Sequence, residues 1–120
     1  MPRILIADHY AIVRIGLMQI LAESMQDLSI DEVEEDLNLF EKIASENFDL
    51  LIMGPMPTVD GCVEKIEHIH QVSPELPILF CGEDIGEPAI RQLVNHGASA
   101  YMDKGLDEPS IIRLVRNCIH

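Results

Sequence analysis

The sequence predicts an α/β domain built on one parallel sheet. Two observations carry that reading. Five short apolar runs alternate along the chain with five segments of helical periodicity, the pattern that right-handed βαβ crossovers produce. Three of the runs, Ile4–Ala7, Leu50–Met53 and Ile78–Cys81, are also continuously apolar rather than alternating with polar residues, as strands covered on both faces require. The chain of 120 residues suffices for one domain with a genuine core and is too short for two, so residues 1–120 are read as a single unit. No repeat or low-complexity segment interrupts it.

Arg3 to Ala7, ending at Asp8, is a first buried strand. Ala11 to Ser24 places Ile12, Ile15, Ile20 and Leu21 at helical spacing, with Arg14 and Gln19 on the opposite side. Leu28 to Val33, diluted by acid, is an edge strand. Leu37 to Ser45 sets Leu37, Phe40, Ile43 and Ala44 on one helical face, with Asp36 as N-cap and the acids of 34–36 suited to a helix N-terminus.

The chain is organised around Phe48 to Gly61, F-D-L-L-I-M-G-P-M-P-T-V-D-G, a strand that breaks abruptly into Gly54, Pro55 and Pro57. Cys62 to Val72 is a helix facing inward through Val63, Ile66 and Ile69. Ser73 to Pro77 is a loop, since two prolines leave no room for an element. Ile78 to Cys81 is a fourth strand. Pro88 opens a helix that turns Ile90, Leu93 and Val94 inward and stops at His96-Gly97. Ala98 to Met102 is the fifth strand, and a last helix runs from about Glu108 to Ile119 with Pro109 in its first turn.

Composition narrows the function. Eight Lys and Arg against 21 Asp and Glu give a net charge of −13, a surface that repels phosphate backbones, so this domain by itself is a poor nucleic-acid binder. Three cysteines without a C-x-x-C argue against a disulfide framework and a zinc site, and suit a reducing cytoplasm. Hydrophobic residues at 48% with aromatics at only 4% imply an aliphatic core. The N-terminus meets acid after one short apolar run, which is neither a signal peptide nor a membrane span.

Ligands of parallel sheets gather at the carboxyl ends of the strands. Those ends carry Asp8-His9, Gly54, Cys81-Gly82 and Lys104. Five stretches, taken together and in order, resemble the receiver domain of bacterial response regulators, in its NarL/FixJ (LuxR-type) branch: Ile4–Leu17, Phe48–Met53, Met56–Gly61, Leu76–Leu79 and Gly97–Lys104. The resemblance implies a flavodoxin-like, doubly wound five-stranded sheet of order 2-1-3-4-5. It also implies a phosphorylation pocket. An acidic pair holds Mg²⁺, an Asp accepts the phosphoryl group as nucleophile, a Ser or Thr contacts it and a Lys pairs with it.

Carried over residue by residue, the first acid is Asp8 and the second is replaced by His9. The acceptor position falls on Gly54, followed by a loop one residue short. The hydroxyl position falls on Gly82, or on Cys81 if the register slips by one. Lys104 is kept, as is Tyr101, the aromatic that turns inward on activation in the family. The resemblance therefore implies a degenerate pseudo-receiver, with weak or absent Mg²⁺ binding because Asp8 stands alone and His9 prefers softer metals. Neither Asp60, a loop acid, nor Asp49, at the far end of the third strand, replaces the acceptor.

Several side chains admit two readings. Asp8 and Lys104 form a salt bridge in the vacated pocket, or stand as two solvated side chains. His68 and His70 lie two apart on a helix and do not face each other, so a solvated pair outweighs a metal site. Cys81, beside Ile78 to Phe80, reads as a small buried hydrophobe rather than a redox group. On the final helix, Ile111, Ile112, Val115 and Ile119 spread over more than one face, and rimmed by Arg113 and Arg116 they are a candidate partner interface or a surface packed on another domain.

The function expected is that of a non-enzymatic, phosphorylation-independent receiver of a LuxR-type transcriptional regulator, cytoplasmic, acting by protein contact or homodimerisation. DNA would be left to a helix-turn-helix domain following His120. Alternatives are a stand-alone signalling adaptor, or a small-molecule sensor using the pocket that Gly54 and Gly82 vacate.

Overall fold

Five strands alternate with five helices: β1 (Arg3–Asp8), α1 (Ala11–Ser24), β2 (Ser29–Val33), α2 (Asp36–Ser45), β3 (Leu50–Gly54), α3 (Val59–Val72), β4 (Ile78–Gly82), α4 (Glu87–Asn95), β5 (Ala100–Asp103) and α5 (Glu108–Cys118). A computed structural model of the chain describes residues 1–34, 36–54 and 58–119, the side chains of Asp36 and Leu37 excepted. The expected roles of Asp36 as cap and Leu37 as core residue, and the M-P of the short loop, lie outside the described residues.

The strands pair in parallel in the order β2-β1-β3-β4-β5, as the alternation and the resemblance imply. Every position of β3 and β4 is buried, which explains their unbroken apolar runs. Successive side chains leave opposite faces. Leu5, Leu51, Met53, Ile78 and Phe80 pack under Leu39, Ile43, Ile66, Ile69 and Leu93 of α2, α3 and α4. Ile4, Ile6, Leu50, Ile52 and Leu79 pack under Leu17 and Leu21 of α1 and Ile111, Val115 and Cys118 of α5. Two covered faces make the sheet rigid, and rigidity fixes the strand ends where the candidate site lies.

Helix faces depart from expectation in four places. In α1 the sheet-facing residues are Arg14, Leu17 and Leu21, while Ile12 and Ile15 stand out at 81% and 62% exposure. Arg14 can be buried because its guanidinium is satisfied: Nε donates to Glu32 at 2.8 Å, Nη2 to Glu34 at 3.2 Å and Nη1 to the Asp8 carbonyl at 2.6 Å. In α2 the core position is Leu39 rather than Ala44, which is exposed. In α4 Val94 is exposed and Ile90 half-buried, leaving Leu93 as the buried residue. In α5 Ile111 and Val115 are buried against the sheet and present nothing to a partner, and Ile112 and Ile119 are half-buried.

Boundaries shift as well. α3 starts at Val59, three residues before Cys62, because the Thr58 hydroxyl accepts from the Gly61 amide at 2.9 Å and caps it. β3 and β4 run one residue further, through Gly54 and Gly82, and β5 begins at Ala100 and ends at Asp103. Gly97, at φ +116, ends the turn after α4, a conformation that side chains resist. His70 is half-buried, its Nε2 3.1 Å from the Leu76 carbonyl, while His68 is exposed and meets Phe40 edge-on.

Candidate functional site at the carboxyl edge of the sheet

Asp8 ends β1 directly beside Gly54, its partner in β3. At 3% exposure its carboxylate is buried, with Oδ1 accepting the Tyr10 amide at 2.8 Å and Oδ2 lacking any partner among the described residues. Burial pushes the Asp8 carboxyl above its ordinary pKa, opposed by the Tyr10 amide and then by the charges of Lys104, Arg14 and His9. His9 is exposed and its ring meets that of Tyr10 edge-on, so it does not join Asp8 as a ligand pair.

Gly54 stands where no side chain fits. A Cβ there would lie 2.0 Å from the Cys81 carbonyl oxygen and 3.6 Å from Asp8 Oδ2. The opposing atom is backbone, which cannot rotate away. The Cys81 side chain points into the α1–α5 layer, and desolvation raises its thiol to about 11, in keeping with a small buried hydrophobe.

Gly82 is crowded from the β5 side. A Cβ there would meet the Tyr101 hydroxyl at 2.7 Å. Tyr101 is half-buried against the α2–α4 layer, and its phenol donates to the Glu83 carbonyl. Burial foremost holds that phenol up at about 12. The Lys104 amide donates to the Gly82 carbonyl at 3.0 Å. Its ammonium lies 3.7 Å from Glu83 Oε1 and 6.0 Å from the Tyr10 ring centroid. Of the two readings of Asp8 and Lys104, neither fits fully: among the described residues they form no salt bridge, and Asp8 is buried rather than solvated, although the Lys104 charge still acts on it.

The structure therefore brings Asp8, Gly54, Cys81, Gly82, Tyr101 and Lys104 together at one edge, with His9 beside them but turned to solvent. Sequence reasoning missed three participants: Arg14, Tyr10 and Glu83. Arg14 was findable, since it shares the i, i+3, i+7 spacing of Leu17 and Leu21. Apolar surface is displayed elsewhere than expected, by Tyr10, Ile12 and Ile15 at the start of α1. Among the described residues, no three His, Cys, Asp or Glu converge as a metal site, and no helix is long and apolar enough to cross a membrane.

A β2-β1-β3-β4-β5 sheet with an acid, a lysine and an aromatic at its carboxyl edge defines the class. Residues 4–116 match the response regulator receiver domain, and the chain belongs to that family. It is 26% identical over 117 residues to the transcriptional activator protein ExaE of Pseudomonas putida, covering 97% of this chain and 54% of that protein. It is 28% identical over 115 residues to the transcriptional regulatory protein DegU of Brevibacillus brevis, covering 95% and 48% respectively. The chain thus spans about half the length of these relatives, and the expected homology to NarL/FixJ-type regulators holds. A two-component response regulator from Clostridium difficile shares the fold with a TM-score of 0.83 at 22% identity, covering 98% of this chain and 95% of that one.

Proposed function

We propose that this domain is a receiver that works without phosphorylation on aspartate, as the regulatory module of a LuxR-type transcriptional regulator. One observation carries the reading: the position that the resemblance assigns to the phosphoacceptor is Gly54, and the Cys81 carbonyl occupies the space of its Cβ. Phosphoryl transfer needs a carboxylate nucleophile there, and neither the residue nor the room for it exists. The residues that remain also do not fit Mg²⁺. The ion demands several oxygens in octahedral array, whereas Asp8 offers one buried oxygen without a partner among the described residues and His9 faces solvent.

Such a domain is no enzyme and acts by protein contact, its own net charge of −13 leaving DNA to a separate output domain in the cytoplasm. The small-molecule alternative is the less favoured reading, because a Cβ at Gly54 or Gly82 would already meet the Cys81 carbonyl or the Tyr101 phenol. Incubation with acetyl phosphate and Mg²⁺, followed by intact mass measurement, tests the proposal. The expected result is an unchanged mass, in the native chain and in Gly54→Asp alike. A stable phosphoryl adduct on the native chain that disappears in Asp8→Asn or Asp60→Asn overturns it.

A further inference from the structure

We infer that the end of β4, Cys81 to Glu83, is a clamp that needs both Gly54 and Gly82, and that it holds the turn into α4 in one conformation without any ligand. This deepens the reading above, that the domain works without phosphorylation on aspartate, and rests on it.

The segment is gripped from both sides. On the β3 side the Cys81 carbonyl sits over Gly54, closer than any Cβ would permit. On the β5 side the Tyr101 phenol roofs Gly82 and donates to the Glu83 carbonyl, while the Lys104 amide donates to the Gly82 carbonyl. A methyl group on Gly54 pushes the backbone of the segment, and one on Gly82 pushes the tyrosine that covers it. Either change acts on the same three residues.

The path of the chain into α4 starts from their position. Asp84 Oδ1 accepts the Gly86 amide at 2.9 Å, Gly86 takes φ +84, and its carbonyl accepts the Ile90 amide in the first turn of α4. Ile85 packs on the same core cluster as Tyr101. Moving the clamp therefore moves the entry to α4.

Hydrogen exchange on the intact chain, with the Tyr101 ionisation followed by ultraviolet absorbance in a Tyr10→Phe background, tests this. Tyr101→Phe keeps the ring and removes the donor. It should speed exchange of the 84–86 amides about tenfold, the factor one such hydrogen bond is worth, and leave β1 unaffected. Gly54→Ala, on the far side of the segment, should speed the same amides and bring the Tyr101 ionisation below about 12. Unchanged exchange in Tyr101→Phe overturns the clamp, as does a folded Gly54→Ala with Tyr101 unmoved. Should Gly54→Ala fail to fold, Gly82→Ala makes the same test from the other side. A phosphoryl adduct on the native chain would defeat the proposed function and leave these outcomes standing.

Discussion

A carboxylate at 3% exposure with one oxygen lacking a partner among the described residues is costly to keep ionised, and Asp8 is such a group. Its pKa is raised on folding, so the stability linked to its protonated form is full below the ordinary carboxyl range and is lost as pH rises through the raised value. At neutral pH the ionised side chain is therefore a burden. Asp8→Asn keeps an acceptor for the Tyr10 amide and removes the charge. Calorimetry should show it more stable at pH 7 by on the order of 1 kcal/mol, with the gap narrowing as the solution is acidified toward the Asp8 pKa. A less stable Asn variant at pH 7 would show that the charge is satisfied. The cysteines give a companion test. All three are buried, and the Cys81 thiol sits at about 11. A thiol reagent at pH 8 should find none in the native protein and all three in denaturant.

Helices α1 and α5 show how far periodicity reaches. In α1 apolar residues occupy 12, 13, 15, 17, 18, 20 and 21, almost all round the helix, so the pattern has two solutions and the charge of Arg14 chose the wrong one. The side chain at 14 is buried because carboxylates at the end of β2 and a carbonyl of β1 receive it, partners that no reading confined to α1 contains. In α5 the inward stripe of Ile111, Val115 and Cys118 was hidden among equally apolar neighbours. Thermal unfolding separates the two kinds of position. Ile111→Ala, in the core, should cost about 3 kcal/mol, whereas Ile12→Ala should stay within about 0.5 kcal/mol. A large loss at Ile12 would mean that its face is already covered in solution.

The sheet as a whole was the most legible feature, since short apolar runs alternating with helical segments read as strands covered on both sides, and their order followed from the resemblance. The gathering of Asp8, Gly54, Gly82 and Lys104 followed from topology, because parallel strands deliver their ends to one edge. What no sequence pattern displays is the distance between backbones. A glycine reads as an empty place, and here both glycines turned out to be occupied by a neighbour's carbonyl or phenol.

The two borders of the sheet also limit how copies of this protein can meet. Edge strand β2 reads S-I-D-E-V, with Asp31 held by Arg3 and Lys42 and Glu32 by Arg14. The opposite edge, β5, is only four residues long and closes on Asp103. Carboxylates along one rim and brevity at the other are the devices by which proteins discourage edge-to-edge strand addition and fibre growth. Lengthening of the sheet by a neighbour is disfavoured at both rims, so crowding of this domain at high concentration should yield discrete particles rather than filaments.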